Sequence, residues 1–363
     1  MQYRKHPRTN EKISILGFGT GYIRDINPLE IKEIFEYGFE NGMNFIDCIR
    51  VEDKFIKPIR QTINEFQDKV FTQMHLTGKF INGEYKRPRN VKHMVDVLNE
   101  DIKAFGVEYA DFGLIHSVDE MDDFERIIEN GVLDYAIKLK DEGLIEHVGV
   151  TSHNPEVCSK FIEYSDIDFF MMSINPSFDY IINEDKFELN NSRAEFYKNC
   201  RKEKIAISVM KPYGGGRLLN KNLSPLKIKL TTNQCIQYCL DRPGVITVLP
   251  GISSLSQLKE SLNYLNAEPK DCDYSVIGDI GVNIEGQCMY CGHCEPCPNE
   301  IPISLISKLY DLSMIGDELA KTHYMKLSHH ASECEKCMKC ENYCMFNVKI
   351  TDKLDKIVEF YGI

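Results

Sequence analysis

The chain has 363 residues, with 43 Lys and Arg against 55 Asp and Glu and a net charge of -12, long enough for a large core and longer than one ordinary domain. Nucleic acid and anionic membrane are excluded as expected partners, because either repels such a surface unless a basic patch is segregated, and none is visible. With no apolar run of bilayer length and a polar, basic Met1–Asn10 stretch lacking a signal-peptide core, the expectation is a cytoplasmic protein, in which fourteen cysteines point to metal work.

Eight apolar runs of strand length recur along the chain: Ile13–Gly19, Met43–Cys48, Val70–His75, Asp111–His116, His147–Ser152, Phe169–Asn175, Ile205–Lys211 and Val245–Gly251. Most are followed by an amphipathic stretch, as at Pro28–Asn41 and Asp123–Lys140. Alternating β and α elements imply a parallel sheet. Eight such units in roughly 270 residues predict an α/β fold, a (β/α)8 TIM barrel over residues 1–270. An open doubly wound sheet is the alternative, but Gly17, Gly19 and Gly21 lack the G-x-G-x-x-G spacing of its usual first turn. After Ala267 the pattern turns polar and irregular. Pro269, Asp271 and Asp273 mark the boundary of a second unit, 271–363, ending in a helix over Asp352–Phe360.

That unit carries Cys288, Cys291, Cys294 and Cys297 at every third position, then Cys334, Cys337, Cys340 and Cys344 as C-x2-C-x2-C-x3-C. Three thiols so spaced wrap one face of a [4Fe-4S] cube, while the fourth crosses to a second cube. By that rule Cys288, Cys291, Cys294 and Cys344 hold one cluster, and Cys334, Cys337, Cys340 and Cys297 the other. The prediction is a small α-helical ferredoxin-like iron-sulfur domain with two [4Fe-4S] clusters, suited to an anaerobe. Disulfides are disfavoured without a sign of secretion, and paired structural zincs usually show two separated C-x2-C knuckles. Met345 stands where such runs usually have proline.

Segments in matching order resemble the aldo/keto reductase family: Tyr3-Arg4-Lys5, Leu16-Gly17-Phe18-Gly19-Thr20, Phe45-Ile46-Asp47, Ile115-His116-Ser117, Val148-Gly149-Val150-Thr151-Ser152-His153, Met210-Lys211-Pro212 and Pro250-Gly251-Ile252-Ser253. The cysteine unit resembles that of the branch with a C-terminal two-cluster ferredoxin-like domain. This resemblance implies hydride transfer between a nicotinamide, NADP or NAD, and a carbonyl, served by a tetrad of tyrosine, lysine, aspartate and histidine. Asp47 and His116 stand where the family's aspartate and histidine stand, but Glu52 takes the tyrosine position and His75 the lysine position. The expected catalytic set is therefore Asp47, Glu52, His75 and His116. A phenol of pKa about 10 donates a proton at neutral pH only beside a cation such as an ammonium. Here Asp47 could orient His75 as an imidazolium acid, with Glu52 or His116 in the complementary role.

The same resemblance implies cofactor contacts at Thr151 and Ser152 for the carboxamide, at Met210 and Lys211 after the seventh strand, and at the turn of Gly251, Ile252 and Ser253, whose amides could cradle a phosphate. Met171 replaces the family's glutamine, and no basic side chain lies in Ile252–Leu255 to read a 2′-phosphate. Tyr22 could supply a substitute phenol or pack on a neighbour, and Arg24 and Arg50 could bind an anionic group or pair at the surface.

The expected function is an iron-sulfur oxidoreductase of aldo/keto reductase type. It reduces a small carbonyl or unsaturated substrate with nicotinamide or cluster-relayed electrons, with a ferredoxin or other donor as a further partner. Two rivals stay open: a non-redox lyase or isomerase using the His/carboxylate set, and an electron-transfer protein on a catalytically retired barrel.

Overall fold

The structure, a computed structural model, describes residues 1–66, 69–81, 84–183, 186–278, 286, 288, 290, 294–314, 316–344 and 346–363. Eight parallel strands form one sheet in sequence order: β1 (Phe18–Gly19), β2 (Phe45–Cys48), β3 (Phe71–His75), β4 (Ala110–Ile115), β5 (Ile145–Ser152), β6 (Ile167–Ser173), β7 (Ala206–Met210) and β8 (Val245–Val248). The sheet curls until its two edges meet, through parallel bridges Leu16 to Val248 and Gly19 to Gly251. Gly17 makes this approach possible: its N–H donates to Val248 O at 2.9 Å, and a side chain there would meet Leu249 Cδ2 at 2.7 Å. The outcome is the barrel-like α/β sheet that the alternating runs predict. Among the described residues no helix is long and apolar enough to cross a membrane.

Side chains alternate between two cores along each strand. Phe45, Phe112, Phe169 and Ile246 belong to a small cluster inside the curl, where the Phe112 and Phe169 rings lie 4.3 Å apart. Ile46, Met74, Val148, Phe170 and Ile207 belong to the larger cluster shared with the surrounding helices.

Two expectations need correction. The run Ile13–Gly19 is not one strand: Lys12–Ser14 pairs antiparallel with Tyr3–Lys5, Leu16 makes an isolated bridge to Val248, and Phe18–Gly19 is the part that forms a strand of the sheet. Asn44 is the reason, since its side chain accepts from Ser14 N at 2.8 Å while its own N–H donates to Ser14 Oγ at 3.0 Å, taking groups that a ladder would use. Asp123–Lys140 is two helices, Met121–Glu129 and Val132–Asp141, parted at Gly131, whose φ of +65° ends a right-handed helix. Short hairpins, Lys79–Ile81 with Glu84–Lys86 and Tyr180–Asn183 with Lys186–Leu189, follow β3 and β6 and are too brief for a periodic signal.

Beyond residue 267 the helices Ile303–Ser313, Glu318–Tyr324 and Ile350–Tyr361 pack together, with Tyr324 stacked on Tyr361 at 3.8 Å. This C-terminal segment seats on loops at the C-terminal ends of the strands. Arg217 donates to Tyr290 Oη at 2.7 Å, Arg87 to Lys326 O at 2.9 Å, and Ser328 N to Glu120 Oε1 at 3.0 Å.

Candidate functional site

Because β2, β3 and β4 are adjacent, Asp47, His75 and His116 converge at their C-terminal ends, each no more than 6% exposed. His75 Nε2 lies 2.8 Å from Asp47 Oδ1, and its Nδ1 lies 2.8 Å from Nδ1 of His116. A carboxylate only accepts, so Nε2 of His75 carries its hydrogen; where Nδ1 of His75 accepts, the hydrogen between the rings belongs to His116 Nδ1. His116 Nε2 is, in this tautomer, a proton acceptor. Burial, then His75 and the cations Lys326, Arg87 and Arg89, hold His116 well below the ordinary imidazole value, so it rests neutral.

Polar neighbours fix these rings. Gln73 donates to Asp47 Oδ1 at 2.5 Å while accepting from Ser208 Oγ at 2.8 Å. Thr77 Oγ1 accepts the His116 amide at 3.0 Å, and Thr151 Oγ1 accepts the Ser117 amide at 2.8 Å. A cleft of two lobes meets at His75 and His116: one of about 460 Å³ with Arg24, Arg50 and Glu52 on its wall, the other of about 430 Å³ with Tyr22, Asp47, Met171 and Gly251.

Glu52 does not join the hydrogen-bonded set. Its side chain is 69% exposed, it precedes the helix Asp53–Glu65, and its carboxylate lies 2.7 Å from Lys54 Nζ. The chain has turned outward by that residue, leaving Glu52 at the rim. Arg50 is neutralised by Glu100 and Asp101. Of the expected cofactor positions, Thr151, Met210, Lys211, Gly251 and Ser253 line the second lobe. Ser152 and Ile252 are buried elsewhere, Ser152 Oγ donating to Asp119 Oδ1 at 3.2 Å. Met171 accepts from Gln73 through Sδ at 3.2 Å.

Sequence reasoning missed three residues of the C-terminal segment, Asp317, Leu319 and His323, which line the second lobe. No motif marks them. Asp317 caps the helix Glu318–Tyr324 by accepting Ala320 N at 3.0 Å, and its other oxygen lies 3.4 Å from Lys211 Nζ. Burial and then the Asp317 carboxylate push the Tyr22 phenol well up, so Tyr22 is no substitute for a phenol made acidic by a cation.

Cys297, Cys334, Cys337 and Cys340 line one hollow of about 150 Å³, joined by Cys294. Left-handed Lys336 (φ +54°) and Met338 (φ +61°) turn the chain between successive thiols, and Lys336 N donates to Cys334 Sγ at 3.4 Å. The four thiols are free rather than in disulfides, a donor set fitting an iron-sulfur group. Cys288 and Cys344 are half-buried against the larger core. Cys291 and Met345 lie outside the described residues.

At the opposite end of the sheet, His6, His147 and Asp168 bring possible ligand atoms within 4.8 Å of one another. Both His147 nitrogens are already engaged, Nδ1 2.9 Å from Asp168 Oδ2 and Nε2 2.7 Å from Glu11 Oε2, which argues for an internal ion network over a metal site.

The family model described as "Aldo/keto reductase family" matches residues 15–234, well over half of the chain. L-glyceraldehyde 3-phosphate reductase of Escherichia coli K12 is 24% identical over 173 residues, 45% of this chain and 49% of that protein, so the chain spans about half the length of this curated relative. The uncharacterized oxidoreductase YqkF of Bacillus subtilis is 22% identical over 301 residues, covering 74% of this chain and 92% of YqkF. Among solved structures, aldo-keto reductase AKR11C1 from Bacillus halodurans in its holo form has a TM-score of 0.62 at 20% identity, covering 77% of this chain and 96% of that one. An aldo/keto reductase from Brucella melitensis has a TM-score of 0.52 at 18% identity, covering 76% and 98%. At these identities the structural likeness speaks to fold alone.

Proposed function

The chain belongs to the aldo/keto reductase family, and from that premise we propose an oxidoreductase that reduces a small carbonyl or unsaturated substrate, with an imidazole in place of the family's phenol. The observation carrying this reading is the hydrogen-bonded run Asp47, His75, His116 that ends on the cleft. A nicotinamide, NADP or NAD, supplies hydride when bound, and Thr151, Met210, Lys211, Gly251 and Ser253 are the residues that would hold it. In the donor form of the array the hydrogen between the rings lies on His75 Nδ1, with Asp47 facing Nε2. His116 then carries hydrogen on Nε2 and donates it to the substrate oxygen, drawing the proton of His75 across the Nδ1 contact. Neighbouring side chains keep both rings aimed, so the donor needs no rearrangement.

Residues 271–363 form the ferredoxin-like unit of this reading, after a barrel of residues 1–270. Cys297, Cys334, Cys337 and Cys340 would hold one [4Fe-4S] cluster, and Cys288, Cys291, Cys294 and Cys344 the other. Bound clusters supply one-electron transfer, with a ferredoxin or other donor as partner.

A second reading has one observation in its favour. The neutral array leaves His116 as an acceptor, which suits proton abstraction by a non-redox lyase or isomerase. Anaerobic purification with iron and sulfide analysis, then NADH and NADPH titration and a panel of small aldehydes, separates the two. Nucleotide-dependent reduction abolished by His116→Phe supports the oxidoreductase; turnover without any reductant supports the alternative.

A further inference from the structure

Beyond His116 the imidazoles continue, and the next one comes from the far end of the sequence. His323 is 5% exposed, with its ring centroid 5.6 Å from that of His116 and 4.9 Å from that of His153. Among the described residues neither nitrogen of His323 has a hydrogen-bond partner, nor has Nε2 of His153. A buried polar group is rarely left so, which points to a water, a ligand or a transferred proton as the missing partner. His153 Nδ1 is held 3.2 Å from Asp119 Oδ1. Asp119 and His153 line a separate hollow of about 150 Å³, whose wall also carries the exposed Glu156 and Glu295, so this end meets solvent.

Charges around these rings favour the neutral state. Burial dominates at His153 and at His323, with Lys211 acting on both and Lys326 on His323 in the same direction; only Asp119, at His153, opposes it. A neutral imidazole accepts a proton at one nitrogen and releases one from the other, which suits transfer along a row of such rings.

We propose that His323 is the link through which the Asp47, His75, His116 array exchanges protons with solvent, by way of His153 and Asp119. The proposal rests on the oxidoreductase reading above. Once His116 Nε2 has given its proton to the substrate oxygen, the array is one proton short. The Asp119–His153 pair takes one proton from the hollow, His153 passes one to His323, and His323 passes one to His116. Each ring gains and loses one proton and no electron moves. A turn of the ring or a bridging water closes each gap. His323 acts through His116 and is thus a relay residue, supplied to the barrel-like sheet by the C-terminal segment.

The test uses the full chain, purified anaerobically with its iron. His323→Phe keeps a ring and removes both nitrogens; His323→Gln keeps a hydrogen-bonding group that does not relay protons. Both should retain wild-type iron content and NAD(P)H affinity by fluorescence, while kcat falls about a hundredfold, KM stays nearly constant and the solvent deuterium isotope effect grows. In His323→Ala, added imidazole should restore turnover saturably, with rates that follow the basicity of substituted imidazoles. An unchanged kcat and isotope effect, nucleotide affinity lost in parallel with kcat, or no imidazole rescue overturns the relay while leaving the oxidoreductase intact. A wild-type chain that binds neither nucleotide and reduces no carbonyl overturns the functional reading, and the relay with it.

Discussion

Two histidine–carboxylate networks occupy opposite ends of one curled sheet, and they differ in where their hydrogen bonds stop. At the N-terminal end His147 is clamped between Glu11 and Asp168. Burial alone would lower its pKa, but the two carboxylates outweigh burial and raise it to about 9. Burial likewise opposes the shift of Glu11, which hydrogen bonds from His147 and Thr9 bring to about 2. Both ends of that chain are carboxylates, so the charge is fixed at neutral pH and nothing is offered outward. At the C-terminal end one carboxylate serves two imidazoles in series, and the second of them lines the cleft. The same residue types therefore make an internal clamp in one place and a proton donor or acceptor in the other.

The comparison breaks first at the open network. His116→Phe should lower turnover about 10²–10⁴-fold, with Asp47→Asn acting in the same direction, and neither should cost much stability. Steady-state kinetics beside urea unfolding would check this; a stability loss matching the activity loss would make the upper network a clamp as well. The lower network should answer in the opposite way. His147→Gln leaves Asp168 buried beside a neutral amide, and breaking a buried ion pair costs about 3–5 kcal/mol, so the unfolding midpoint should fall while kcat per folded molecule holds.

Titration sharpens the contrast further. Because folded His147 lies near 9, above the free value of about 6.5, its contribution is complete below pH about 6.5 and is lost as pH rises through 9, at most about 3 kcal/mol. Glu11 has the opposite sign: its contribution is present above pH about 4.5 and is lost as pH falls through 2. The two shifts share one interaction and are counted once. Urea unfolding at pH 6.5 and 9.5 should show the loss in the wild type and not in His147→Gln. The smallest effect belongs to Glu52→Gln, an exposed change expected within about 0.5 kcal/mol in stability and about twofold in rate; a large rate loss would return Glu52 to the catalytic group.

How much was legible follows the range of the interaction. Asp47, His75 and His116 could be read at strand ends because each stands at or next to the end of its own apolar run. Their hydrogen-bond order could not, since it depends on which strands are neighbours and which way Gln73 and Thr77 hold the rings. That Glu52 sits at the rim, outside the hydrogen-bonded set, was not legible, because counting from Asp47 gives its distance along the chain, not that the chain has by then begun a helix facing solvent. The placing of Ser152 was hidden in the same way: it alternates with Thr151, so one faces the cleft and the other Asp119. The hairpin Tyr3–Lys5 with Lys12–Ser14 escaped notice because three residues carry no usable period.

By itself the sequence determined the alternation of strand and helix, the placing of an aspartate and two histidines at strand ends, and the spacing of two cysteine runs, because these depend on neighbours a few residues apart. Tertiary structure decided which oxygen meets which nitrogen, the meeting of Cys297 with Cys334, Cys337 and Cys340, and the arrival of Asp317 and His323 over the cleft. Those contacts join segments separated by tens to hundreds of residues. They exist only once burial has folded the C-terminal helices onto the sheet, and local periodicity carries no record of that event.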